Sequence, residues 1–207
     1  DGTTLNTAAI AKAIDACTQS GGGRVIVPAG RFLTGAVHLR SNVNLHLDAQ
    51  ATLAFDTDPA SYPLVFTRWE GMELMNYSPL IYARKQKNIA ISGKGLLDGQ
   101  GSDKHWWPWK GPWRGTTPYG WKEGMPDQRP ARKALFQMAE ENVPVEKRAF
   151  GDGSLLRPPL LQPYDCENVL IEGIRLRNSP FWTIHPVLCR NIILRDVEIF
   201  GHGPNND

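Results

Sequence analysis

The sequence predicts an all-β chain wound as a parallel β-helix, and three observations carry that prediction. Two segments near the C-terminal end align without a gap at a spacing of 23 residues. Shorter copies of the same asparagine-aliphatic string occur twice earlier in the chain. An amphipathic helical stretch near the N-terminal end offers a cover for the open end of such a stack.

The aligned pair is Cys166-Glu-Asn168-Val-Leu-Ile171-Glu-Gly-Ile174-Arg-Leu176 and Cys189-Arg-Asn191-Ile-Ile-Leu194-Arg-Asp-Val197-Glu-Ile199. Apolar residues alternate through 169, 171, 174 and 176 with a break at Gly173, which reads as a half-buried strand, a bend and another strand. The earlier copies are Asn42-Val43-Asn44-Leu45 and Asn88-Ile89-Ala90-Ile91, the second followed by Gly93, Gly95, Leu96 and Leu97. Chance recurrence is the competing reading, and the ungapped pair argues against it. Repetition at this period marks a solenoid in which one rung cannot bury its own inward face and stacking buries a continuous core. Each repeat asparagine could sit in a left-handed bend and stack as an amide ladder. Cys166 and Cys189 then belong to neighbouring rungs as small buried hydrophobes.

Thr7 to Cys17 places Ile10, Ile14 and Cys17 on one helical face, with Asn6 or Thr7 as its cap and Gly21-Gly22-Gly23 ending it. Arg24 to Val27 reads as a strand closing in a turn at Pro28 to Gly30. One domain is expected over 1–207, with an N-terminal cap over 1–30 that shields open strand edges. From Asn88 to Asn168 there are 80 residues where one rung needs about 23, so 102–160 is expected to be an inserted loop region. It holds His105-Trp106-Trp107-Pro108-Trp109, Trp113, Trp121 and a polar helix candidate from Gln128 to Glu141. The tryptophans either wall a sugar cleft or pack on themselves and the β-helix flank, and most are expected to be buried in both cases.

A formal net charge of +2 is too small and dispersed to indicate nucleic acid. No apolar run reaches the roughly 18 residues of a membrane span, and no signal peptide is recognisable. Three cysteines are too few for a disulfide framework and match no zinc spacing. Asp98, Asp103 and Asp196 are scattered, so no metal and no cofactor is expected. The expected state is a monomer.

Three strings carry a family likeness: Arg157-Pro-Pro-Leu-Leu-Gln162, Arg177-Asn178-Ser179-Pro180-Phe-Trp182-Thr-Ile-His185-Pro, and Gly203-Pro-Asn205-Asn206-Asp207. They resemble glycoside hydrolase family 28, the polygalacturonases and their relatives, on the bacterial branch. Asp1 to Ile10, Gly22 to Gly30 and Gly93 to Gly101 resemble elements shared by pectin-lyase-like β-helices in general. The likeness runs the length of the chain and is thinnest across 110–150. It implies a right-handed helix and a secreted or periplasmic enzyme. The implied reaction is hydrolysis of α-1,4-galacturonosidic bonds in pectic polysaccharide or oligogalacturonide, with inversion and in the exo mode.

Asn206 stands where the family motif has threonine. The family's following Asp-Asp pair, Gly-His-Gly and Arg-Ile-Lys would lie beyond residue 207, so residues 1–207 alone are expected to be inactive. Gly201-His202-Gly203 precedes the motif and reads as a turn. An inverting glycosidase needs an acid to protonate the leaving oxygen and a carboxylate roughly 6.5–9.5 Å away to activate water. By resemblance, Asp207 is one of the water-activating carboxylates; Asn205 is read as orienting Asp207 or the strand bend, with substrate contact as the alternative. His185 lies 22 residues before Asp207, about one rung away. It and Trp182 are candidates for the sugar subsite, against readings as a satisfied structural histidine and a flank aromatic. Arg175 and Arg177 read as an outward, solvated flank. A calcium-dependent pectate lyase and a non-catalytic carbohydrate-binding β-helix are the rival functions on this fold.

Overall fold

A computed structural model of the chain describes residues 2–112 and 119–204. The chain winds through three parallel sheets, one strand per sheet per turn. The first rung is β1 (Gly23–Val27), β2 (Gly30–Thr34) and β3 (Val37–His38). The second is β4 (Val43–Leu47) and β5 (Ala51–Phe55); an antiparallel hairpin, β6 (Leu64–Trp69) and β7 (Met72–Tyr77), then intervenes before β8 (Ile81–Arg84). The third is β9 (Lys87–Gly93), β10 (Leu96–Asp98) and β11 (Leu161–Tyr164). β12 (Glu167–Glu172) and β13 (Arg175–Arg177) begin the fourth, and β14 (Arg190–Arg195) and β15 (Glu198–Phe200) the fifth. The sheets are ordered β1-β4-β9-β12-β14, β15-β13-β10-β5-β2 and β11-β8-β3, with Leu161 bridging Ile184 to extend the last.

Register explains the sequence pattern. Val25, Leu45, Ile91, Ile171 and Leu194 are mutual partners down the first sheet. Phe32, Leu53, Leu97, Leu176 and Ile199 form the matching column in the second. Val37, Ile81 and Leu161 do so in the third. Leu45, Leu53, Leu97 and Leu176 are each 0% exposed, worth about 1.5–3 kcal/mol apiece when fully buried. The 23-residue repeat is the pairing of β12 with β14, in which Val169 faces Ile192.

The asparagine ladder is present. Asn42, Asn88, Asn168 and Asn191 all have positive φ, between 54° and 64°. Their side-chain amides donate along the stack: Asn88 to Asn42 over 2.9 Å, Asn168 to Asn88 over 2.8 Å and Asn191 to Asn168 over 3.0 Å. One row of bends is thereby turned into a continuous hydrogen-bonded spine. Glycine serves the next corner: at Gly93 (φ 110°) a Cβ would lie 2.0 Å from the Leu47 carbonyl oxygen, so no larger residue fits.

Helix α1 (Thr7–Gln19) lies across the end of the stack, with Ile14 buried and Ile10 and Cys17 packed on the same core. Asn6 occupies the cap position without a capping bond; its amide instead reaches the Thr4 and Leu33 carbonyls. Thr7 accepts the Gly35 N–H, tying the helix start to the first rung. The Cys166 thiol is buried against the Ala83 and Tyr164 carbonyls, and Cys189 stacks on it one rung along, its sulfur accepting the Cys166 N–H.

Two excursions leave the third corner of the helix. The first is the β6–β7 hairpin, which the repeat pattern did not reveal. Glu70 and Gly71 at its tip both have positive φ (42° and 87°), the geometry of a tight hairpin turn. The second, between β10 and β11, carries a 3-10 turn (Trp107–Lys110) and helix α2 (Arg129–Glu140). Trp106 and Trp107 join the main core, and the Trp107 indole N–H donates to the Ser179 carbonyl at 2.9 Å. Trp109 packs edge-on to Trp106 at 4.9 Å. Packing against the β-helix is therefore the role of these three; Trp113 lies outside the described residues. Arg132 of α2 pairs with Glu70 at 2.6 Å, tying the two excursions together.

Candidate active site

The outer face of the third sheet is where these excursions meet. Ile81 and Leu161 point into the core, so by strand alternation Tyr82 and Gln162 point outward, in register with each other and with His38. The hairpin lies over this row. The Tyr82 hydroxyl donates to the Phe66 carbonyl, the Arg84 guanidinium sits 4.0 Å over the Phe66 ring, and Phe66 meets Tyr164 edge-on at 5.5 Å. Thr67 Oγ1 donates to Gln162 Oε1 at 2.5 Å, and the Tyr164 hydroxyl donates to Glu73. Burial, then this carboxylate, pushes the Tyr164 phenol up to about 12, so it remains a donor.

His185 follows Gln162 in this row. Its Nδ1 lies 2.8 Å from Gln162 Nε2, and its ring meets Trp182 edge-on at a centroid distance of 4.4 Å. Burial, reinforced by the positive charge of Arg68, pulls the imidazole down to about 4. His185 is therefore neutral at the pH of most biological fluids. Trp182 is half-buried and stacks on Phe181 at 4.5 Å, which in turn stacks on Trp69 of the hairpin at 5.3 Å. The aromatic run from Trp69 to His185 thus joins the hairpin to the fourth rung.

Arg157 holds the far side. It is 0% exposed, and its guanidinium donates to Gln128 Oε1 (3.2 Å) and to the carbonyls of Pro180 (3.0 Å) and Pro204 (2.8 Å). It also lies 4.9 Å over the Phe181 ring. One buried cation thereby ties the insertion to the turn before Trp182 and to the segment leading toward Asn205. Burial lowers it to about 9, which leaves it charged at neutral pH.

Of the residues expected at the site, the structure brings together Trp182 and His185. Asn205 and Asp207 lie outside the described residues. Arg177 is not a free flank residue: its Nη2 meets Asp98 Oδ2 at 2.9 Å across two rungs of the second sheet. Gly201 and His202 lie in irregular backbone after β15, and Gly203 and Pro204 in a bend and turn. Among the described residues no group of three or more His, Cys, Asp or Glu converges as a metal site. Thr67 and Arg68 were not singled out in the sequence, and Arg157 and Gln162 only bound a family-like string there, without a role. The 23-residue offset that pairs Cys166 with Cys189 also pairs Gln162 with His185, and was the available signal for one of them.

A three-sheet coil with its loops gathered beside one outer sheet face defines the class: a pectin-lyase-like parallel β-helix. Its homologues are polygalacturonases and exopolygalacturonases of glycoside hydrolase family 28. The solved exopolygalacturonase from Thermotoga maritima superposes with a TM-score of 0.95 and 51% identity, over 100% of this chain and 45% of that one. The exo-poly-alpha-D-galacturonosidase of Dickeya chrysanthemi is 43% identical over 109 residues, 49% of this chain and 18% of its own. A probable polygalacturonase of Vitis vinifera is 27% identical over 220 residues, 100% of this chain and 36% of its own. The chain therefore spans less than half the length of these relatives. No family model matches it. Among the described residues no helix is long and apolar enough to cross a membrane.

Proposed function

We propose that the protein hydrolyses α-1,4-galacturonosidic bonds of polygalacturonate or its oligomers with inversion, acting from a chain end. The observation that carries this reading is the pairing of Trp182 with a neutral His185 on the loop-walled face of the third sheet. The 51% identity to an exopolygalacturonase across the whole chain supports it. Trp182, half-buried, offers aromatic surface for sugar packing, and His185 a hydrogen-bond donor for a uronate oxygen. Asp207 is assigned the water-activating role and Asn205 the task of orienting it. Inversion requires a separate acid roughly 6.5–9.5 Å away, and none of residues 1–207 is assigned that part. The hairpin and the insertion rising beside one face suit a cleft closed at one end, which favours exo attack.

We assign the chain to one β-helical unit acting as a monomer outside the cytoplasm, on a pectic substrate. The test is incubation of the full native-length protein with polygalacturonate. Reducing ends should appear as galacturonic acid or short oligomers, without an unsaturated product absorbing in the ultraviolet and without dependence on calcium. Ultraviolet absorbance abolished by chelator would instead identify a lyase.

A further inference from the structure

Gln162 is 0% exposed, between the third sheet and the hairpin. Its oxygen accepts from Thr67 Oγ1, and its nitrogen donates to the Arg68 carbonyl at 3.4 Å and faces His185 Nδ1 at 2.8 Å. A backbone carbonyl only accepts, so the amide nitrogen must be the Gln162 atom on that side. The group facing Nδ1 is therefore a donor. Nδ1 must accept, which leaves the ring proton on Nε2. A protonated Nδ1 would meet N–H against N–H, so the same contact disfavours the imidazolium. His185 Nε2 has no partner among the described residues, yet the buried partnerless atoms are Arg68 Nε, Asn76 Oδ1, Arg84 Nε and Trp106 Nε1. Nε2 therefore opens to solvent.

We propose that Gln162, itself held by Thr67 and the Arg68 carbonyl, is a positioning residue that locks His185 in its Nε2–H tautomer, so that the site presents a neutral donor to an acceptor oxygen of the sugar. The proposal rests on the reading of His185 as substrate-facing. A neutral N–H recognises a uronate carboxylate by direction more than by charge, so binding through it should be weakly dependent on salt. The charged group that bears on the imidazole is Arg68 on β6, which opposes protonation with or without Gln162.

The test is nitrogen NMR of the full native-length protein carrying isotope-labelled histidine, with the His185 signal assigned by its loss in His185→Gln. At mildly alkaline pH the unsubstituted protein should show a bare Nδ1 and a protonated Nε2. Gln162→Glu, of the same shape, presents an acceptor to Nδ1 and should reverse the tautomer. The KM for oligogalacturonide should then rise roughly tenfold, the scale of one hydrogen bond to a charged group, with a smaller change in kcat. Gln162→Met removes the donor without adding a charge and should raise the pH at which His185 titrates. A protonated Nδ1 in the unsubstituted protein, or a tautomer unmoved by Gln162→Glu, overturns the proposal. A reversed tautomer with unchanged KM upholds the positioning role and removes His185 from the substrate site, which separates the two claims.

Discussion

Asn168 donates its side-chain amide to Asn88, 80 residues earlier in the chain, over 2.8 Å. The link shows how the insertion is accommodated: whatever length the chain spends between two rungs, it returns to the same left-handed bend on the same ladder. Asn168 donates to one neighbour and accepts from Asn191, so it carries two ladder bonds and a φ of 58°.

Asn168→Ala should therefore destabilise the protein by about 2 kcal/mol, from lost amide bonds and a side chain forced into the left-handed region. Asn168→Gly keeps the bend and loses only the ladder, and should cost about half as much. Equilibrium denaturation of both variants checks the ordering; equal losses would assign the whole effect to the amide bonds.

Arg157 should be the most costly single polar side chain to remove. Arg157→Met leaves the Gln128 oxygen and the Pro180 and Pro204 carbonyls without their donor, a loss of about 3 kcal/mol. Arg157→Lys retains charge but cannot span three acceptors in one plane, and should not restore stability. Thermal melts compare the two variants; recovery in the lysine variant would show that charge alone matters.

His185 predicts an acid-sensitive stability. Its folded value, about 4, is below the ordinary histidine value of 6.5. Between those values the unfolded chain binds the extra proton, so stability rises with pH. The contribution is complete above about pH 6.5 and is lost as pH falls toward 4, reaching on the order of 2 kcal/mol after allowance for partial solvent contact. His185→Gln should flatten this part of the stability–pH curve. An unchanged slope would contradict the depressed imidazole.

The rungs, the asparagine spine and α1 were legible because each is written as a local period: 23 residues between rungs, alternation within strands, and Ile10, Ile14 and Cys17 on one helical face. The β6–β7 hairpin was not, because it interrupts the period without changing the alternation of its residues. Only Glu70-Gly71 between two apolar runs marked it. Trp182 and His185 were legible as a pair through the family likeness. Arg157 was visible as a motif residue but not as a clamp, since its partners Gln128, Pro180 and Pro204 are brought together only by the folded insertion. Gln162 was missed although the rung spacing places it beside His185; its importance lies in the hairpin above it, which the period did not reveal.

The proposed reaction is inverting hydrolysis, with Asp207 activating the water. It is tested most directly by following the anomeric protons of the first product released from oligogalacturonide by the full native-length protein, alongside Asp207→Asn. The β-anomer of the new reducing end should appear first and mutarotate later, and Asp207→Asn should abolish its release while the protein stays folded. An α-anomer appearing first, or undiminished turnover by Asp207→Asn, would contradict it.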